Sequence, residues 1–219
     1  MLNLIKTEDG SHTVFVPGMD EHYHSVHGAI RESEIVFLKN GYHYCTSTPL
    51  RIFEAGLGTG LNALLTAIRC TQEKRLVYYT AAEKFPLPGE ITERLNYPSF
   101  AGKGGKAILD SIHSVPWGEK IEISEYFHFI KIICDLTVTI PSGEYDLIYF
   151  DAFGPDKQPE MWTEEVISGI SRNTAPNGTL VTYSVKGSVK RVLKSCGFSI
   201  YLLPGPPGKR EVMRAVRNL

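Results

Sequence analysis

The sequence predicts an α/β fold built on a doubly wound, mostly parallel sheet that one antiparallel C-terminal strand closes. Three observations carry this expectation. Short apolar runs alternate with helical patterns, the signature of strand–helix–strand units. One run, starting at Arg51, ends in Glu54 and passes through Gly56, Gly58 and Gly60 into an amphipathic helix. The last run follows its predecessor through the loop Pro204–Gly208, too short for a helical crossover, so these two strands should pair antiparallel.

Taken in order, the segment from Met1 to about Lys39 is polar, is broken by Gly10, Pro17 and Gly18, and offers one helix from about Gly28 to Leu38. The sheet begins at Leu50, and its first helix runs from Leu61 to about Cys70. Further strands are expected at Leu76–Ala82, Phe129–Cys134 and Tyr145–Phe150, each followed by an acid: Glu83, Asp135 and Asp151. Thr179–Ser184 follows the turn Pro176-Asn-Gly178, Phe198–Leu203 follows Gly197, and Glu211–Val216 closes the sheet. Helical patterns cover Met161–Asn173 and Gly187–Ser195. Residues 86–127 are the least regular, with prolines and glycines around a helix at about Lys106–Ile112 and a hairpin strand at Lys120–Ser124. They read as an insertion over the cofactor or a substrate-facing cap. The expectation is one domain over residues 1–219, with 1–49 as an N-terminal extension lining the site and 50–219 as the core.

Composition excludes several classes. No window has the apolar length of a membrane span, and Lys6, Glu8 and Asp9 interrupt any signal-like start, so a cytoplasmic protein is expected. Cys45, Cys70, Cys134 and Cys196 are scattered without a C-x-x-C pair, pointing to reduced thiols and no zinc site. His22, His24 and His27 crowd together without a matching cluster elsewhere, which suits a polar pocket lining better than a metal. The net charge of −1 hides an asymmetry: eight Lys or Arg against one acid from Ser184 onward. That basic segment is a candidate nucleic-acid surface; a solvated helix face with a basic edge strand is the alternative.

A strand that stops in a glycine-rich turn lets a ligand lie against bare backbone, because glycine tolerates positive φ and lacks a Cβ. The pattern here is E-x-G-x-G-T-G rather than the dinucleotide G-x-G-x-x-G. It resembles the first motif of class I (Rossmann-like) S-adenosylmethionine (SAM) methyltransferases, in which Glu54 would meet the cationic amino group of the cofactor directly or through water. The closing hairpin also fits that fold. Ligands of open α/β sheets bind outside the carboxyl ends of the strands, where the three acids fall. Glu83 suits the ribose hydroxyls, Asp135 the adenine amine, and Asp151 the vicinity of the transferred methyl. Asp151 opens the segment Tyr149-Phe-Asp-Ala-Phe-Gly-Pro-Asp-Lys-Gln-Pro-Glu-Met-Trp162, where Phe153, Gly154 and Pro155 can form a wall and a stacking ring, and Trp162 reads as core. A carboxylate beside an acceptor amine can orient it and stabilise charge developing on nitrogen.

These strings closely resemble the methyltransferase part of MnmC-type enzymes, whose stand-alone form is MnmD-type. The resemblance rests on Asp9-Gly-Ser11, Glu21-His-Tyr-His-Ser25, His27-Gly-Ala29, Glu32-Ser33, Val36-Phe37, Gly58-Thr-Gly-Leu-Asn62, Glu83-Lys-Phe-Pro-Leu87, Asp151–Trp162, Gly178-Thr179, and Gly208-Lys-Arg-Glu211 with Met213. It implies SAM-dependent methylation of the primary amine of 5-aminomethyl-(2-thio)uridine at the tRNA wobble position. Carried over by position, Gly56, Gly58, Gly60, Asn62, Glu83 and Asp135 would hold SAM, and Asp151 would face the amine. Tyr23, His24 and His27 would line the joint pocket, and Lys209 and Arg210 would meet tRNA phosphates. The bifunctional relatives carry a flavin-dependent oxidase domain; this chain stops at Leu219, so that activity and FAD are expected to be absent. Ala152 stands where the family usually has glycine, and residues 86–127 match poorly. Two other readings stay open: an aminopropyltransferase resembling spermidine synthase, which would want a closely paired acidic motif, and a non-catalytic SAM-responsive RNA-binding module.

Overall fold

The first strands lie outside the central sheet. The computed structural model describes residues 2–218, and it begins with β1 (Asn3–Lys6), β2 (His12–Val16) and β3 (Glu21–His22), which form a small antiparallel sheet. The sequence reading has no strands here, because runs of four, five and two residues are too short to show an alternation. Helix α1 (Ala29–Ser33) continues without a break into a π-helical segment, Glu34–Tyr42, four residues beyond the expected end at Leu38. Gly41 explains how this segment packs. A Cβ there would lie 3.0 Å from Val181 and 3.2 Å from Leu147, so the bare backbone is what allows it to press onto the sheet.

From Leu50 onward the order is β4 (Leu50–Ala55), α2 (Leu61–Glu73), β5 (Val77–Glu83), α3 (Gly89–Thr92), α4 (Gly105–Ser114), β6 (Lys120–Ser124) and β7 (Phe127–Ile133). Then come β8 (Tyr145–Phe150), α5 (Glu164–Asn173), β9 (Thr174–Thr182), α6 (Gly187–Ser195), β10 (Phe198–Pro204) and β11 (Glu211–Arg217). The sheet order is β10-β11-β9-β8-β4-β5-β7-β6. Strands β7, β5, β4, β8 and β9 are mutually parallel, which places Glu83, Asp135 and Asp151 at one rim. Strand β11 pairs antiparallel with β10, as the short loop requires, and also inserts beside β9. Strand β9 starts at Thr174, before the Pro176-Asn177-Gly178 turn rather than after it. The turn is a bulge inside the strand: Asn177 has φ +61° and the register to β8 shifts between Tyr145 and Leu147.

Two apolar layers sandwich the sheet. One joins Leu50, Ile52, Tyr79 and Phe129 to α2, α4 and the π-helical segment; the other joins Phe53, Phe150 and Met213 to α5, α6 and Trp162. The expected single helix Met161–Asn173 is a 3₁₀ turn, Pro159–Trp162, followed by α5. Thr163 separates them, its hydroxyl capping α5 by accepting from Val166 N. Trp162 is core as expected, donating its indole N–H to the carbonyl of Phe153 at 2.8 Å. Residues 86–127 form the connection from β5 to the start of β7. Helix α4 packs on α2, and none of residues 86–127 lines the cleft described below.

Candidate active site

The glycine turn after β4 is built for a close backbone approach. Gly56, Gly58 and Gly60 have φ of +92°, +50° and +75°, conformations that a side chain would strain. A Cβ at Gly56 would lie 3.1 Å from the carbonyl oxygen of Asp151, and one at Gly58 2.9 Å from the ring of Tyr23. Gly60 is the N-cap of α2 and packs outward against His113 and Ile112 of α4, away from the cleft.

The cleft lies over the carboxyl ends of β4, β5, β7 and β8. Gly56, Gly58, Glu83, Asp135, Asp151, Tyr23, His24 and Phe153 line it, together with Lys84, Phe85, Met19 and Tyr183. The structure thus brings eight of the residues singled out in the sequence to one place. Glu54, Gly60, Asn62, His27, Pro155, Lys209 and Arg210 lie outside the lining.

Each acid has a distinct setting. Glu83 accepts from Gly58 N at 2.9 Å and from Phe85 N at 2.8 Å, so both oxygens are held in fixed directions across the cleft. Burial raises its pKa while those N–H groups lower it. Asp135 is not free: Lys84 Nζ sits 2.7 Å away, and Thr137 donates through its backbone N–H at 3.0 Å and its hydroxyl at 2.6 Å. Hydrogen bonding to Lys84 and Thr137 holds Asp135 at a pKa of about 2. The Lys84–Asp135 pair is absent from the sequence reading, although Lys84 belongs to a motif quoted there. Asp151 is half-buried at the cleft floor, and desolvation raises its pKa well above the carboxylate norm.

Glu54 corrects its expected place. It is completely buried, behind Asn62, and reaches no cleft surface. The physical reason is the register: Glu54 pairs with Ala81 on one side and Tyr149 on the other, in the middle of the sheet. Lys209 is corrected too. Its ammonium forms an ion pair with the buried Glu32 of α1 and lies 4.0 Å over the ring of Tyr183, so it points inward. A buried carboxylate needs a counter-charge, and Lys209 supplies it. Arg210 is exposed.

The three histidines diverge. His22 packs on Phe15, His24 meets Thr59 Oγ1 at 2.8 Å, and His27 meets Glu8 at 2.9 Å. His24 ties the N-terminal segment to the glycine turn, and burial lowers its pKa to about 4, keeping it neutral. His27 instead packs on Gly208 of the β10–β11 loop, where a Cβ would come within 2.2 Å of its ring. Tyr23 lies edge-on to Phe153, ring centroids 5.1 Å apart, so the N-terminal segment and the segment after β8 meet over the glycine turn.

Residues 106–218 match the model of a family described as S-adenosyl-L-methionine-dependent methyltransferase. The chain belongs to this family. The methyltransferase is 29% identical over 210 residues to the tRNA 5-methylaminomethyl-2-thiouridine biosynthesis bifunctional protein MnmC of Campylobacter hominis, covering 94% of this chain and 31% of that protein. It is 30% identical to the Cupriavidus metallidurans MnmC, covering 95% of this chain and 33% of the relative. The chain therefore spans about a third of the curated relatives it matches. Among solved structures it superposes on MNMC2 from Aquifex aeolicus with a TM-score of 0.78 and 26% identity, covering 98% of this chain and 70% of the other. The sheet is that of a class I SAM methyltransferase, as the closing hairpin predicts. The cleft fits SAM: bare backbone at Gly56 and Gly58, where a Cβ would crowd Asp151 and Tyr23, next to an acid with both oxygens oriented by backbone N–H groups. Among the described residues no helix is long and apolar enough to cross a membrane.

Proposed function

We propose that this methyltransferase converts the primary amine of 5-aminomethyl-(2-thio)uridine at the tRNA wobble position to the methylamine. The whole of residues 1–219 acts as one methyltransferase domain in this reading, residues 1–49 completing the cleft around the core. The observation that carries it is the placement of Asp151, a half-buried acid at the floor of a cleft shared with Gly56, Gly58 and Glu83. The relatives named for 5-methylaminomethyl-2-thiouridine biosynthesis match more than nine-tenths of the chain and supply the substrate class.

When bound, SAM supplies a sulfonium methyl that a neutral amine nitrogen attacks in line, leaving S-adenosylhomocysteine. Gly56 and Gly58 would carry the methionine part on bare backbone. Glu83 would accept from the ribose hydroxyls, and Asp135 would accept from the adenine amine once Lys84 moves aside. Tyr23, His24 and Phe153 would wall the acceptor base. An alkylamine with a pKa near ~10 is mostly protonated at neutral pH, so it must shed a proton before reacting. Asp151 would orient the neutral amine and stabilise the positive charge that develops on nitrogen. The chain is assigned the methyl-transfer step, and a cytoplasmic location follows from a tRNA substrate.

Neither rival reading gains support. The aminopropyltransferase would want adjacent acids after β8, where Ala152, Phe153, Gly154 and Pro155 stand, and the family match is to methyltransferases. Incubation with methyl-labelled SAM and bulk tRNA from cells lacking this methylation tests the proposal. Label should appear at the wobble uridine, and Asp151→Asn should lower kcat by about 10²-fold or more with SAM affinity retained. RNA binding without transfer by the unaltered chain would defeat it.

A further inference from the structure

The first turn of α2 carries Asn62, whose amide nitrogen is 3.0 Å from Glu54 Oε1 and 2.8 Å from Asp151 Oδ2. A primary amide nitrogen has two hydrogens, so each is directed at a different carboxylate. Glu54 is fully buried and Asn62 is 2% exposed. The second oxygen of Glu54 and the amide oxygen of Asn62 have no hydrogen-bond partner among the described residues. One neutral amide cannot compensate two desolvated anions; a buried carboxylate in that position takes up a proton instead.

The surroundings decide which acid takes it. The charges acting on Glu54 are those of Asp151 and Glu83, both of its own sign. Asp151 reaches the cleft and faces Glu32 of α1 and Lys209 of the β10–β11 loop, a pair of opposite charges. The remaining titratable neighbours, Tyr79, Tyr97, Tyr149 and Tyr183, are phenols that burial keeps neutral. We infer that Asn62 is a positioning residue coupling the two acids, so that the pair holds one proton, on Glu54, and one negative charge, on Asp151 facing the cleft. This rests on the reading that Asp151 faces the acceptor amine. It reassigns Glu54 and Asn62: neither touches the cofactor, and both act through Asp151. The neutral Glu54 spares Asp151 a like charge that would raise its affinity for the proton of the incoming ammonium.

Two measurements test the inference. Infrared spectroscopy of the protein at neutral pH should show a protonated-carboxyl stretch that disappears in Glu54→Gln and persists in Asp151→Asn. Loss of the band in Asp151→Asn instead, or no such band, overturns the assignment. In the pH–rate profile of methyl transfer, Asn62→Ala should move the acid limb upward by about one pH unit, because Asp151 loses the donor that stabilises its anion. Its calorimetric Kd for SAM should stay within threefold of the unaltered chain. An unmoved limb, or a tenfold weaker Kd, makes Asn62 a cofactor ligand rather than a positioning residue. Should Asn62→Ala fail to fold, Asn62→Ser carries the same comparison and the infrared arm stands alone. Full turnover in Asp151→Asn would defeat the underlying function while leaving the infrared result intact, so the two failures are distinguishable.

Discussion

Glu83 is the residue on which cofactor affinity should depend most directly. Its oxygens are held in fixed directions by Gly58 N and Phe85 N. Glu83→Ala should raise the SAM Kd by about 10–100-fold, the value of hydrogen bonds to a charged group, measured by calorimetry. His24 contributes to the loss of stability in acid. Burial lowers its folded pKa to about 4, below the ordinary histidine value of 6.5, so the unfolded chain binds the extra proton first. Its contribution is therefore present above pH 6.5 and is lost as pH falls toward 4. Urea denaturation across that window should show a slope of about 1.4 kcal/mol per pH unit from His24, which His24→Gln removes. His113, also lowered to about 4, adds the same sign; the raised acids Glu54 and Asp151 oppose both, so the paired comparison is the measurement that isolates one group.

At the scale of elements, the N-terminal segment and the β10–β11 loop hold each other in place. His27 packs on Gly208, and Lys209 pairs with Glu32 on α1, whose other oxygen accepts from Ser25 N at 2.8 Å. Gly208 has φ +85° and no room for a Cβ. Gly208→Ala should cost about 1–3 kcal/mol in urea denaturation, from backbone strain and the displaced His27 ring. A second tie runs through the β5–β7 connection: Asn96 accepts from His12 N at 2.7 Å and donates to the Gly10 carbonyl at 2.9 Å. Of that connection the sequence shows the helix near Lys106–Ile112 and the strand Lys120–Ser124, whereas the stretch around Asn96, broken by prolines and glycines, carries no period. The role of the connection is to pin the small N-terminal sheet and, through His113 on the Thr59 carbonyl at 3.1 Å, the glycine turn.

The whole molecule places its basic C-terminal charges unevenly. Lys209 is spent on Glu32, and Lys186 on Asp156, whereas Arg210, Arg191 and Lys194 are exposed. Arg210→Glu should weaken tRNA binding and lessen the slope of log K against log salt by about one or more, if it meets a phosphate. Lys209→Glu should instead disturb the Glu32 contact and stability. Equal affinity and slope for Arg210→Glu would move the RNA surface elsewhere.

Local pattern determined a good deal by itself. The E-x-G-x-G-T-G turn, the acids at the carboxyl ends of β5, β7 and β8, and the final antiparallel hairpin all follow from short-range rules, because strand ends, turns and loop lengths are written in neighbouring residues. Tertiary structure alone decided how charges separated along the chain neutralise one another. Glu54 looks like a cofactor ligand in sequence, yet the sheet buries it and the Asn62 amide links it to Asp151. Lys209 looks like a phosphate contact, yet a desolvated Glu32, distant in sequence, takes its charge. The cost of burying an unpaired ion is paid between residues that only the fold makes neighbours, so no local pattern can announce it.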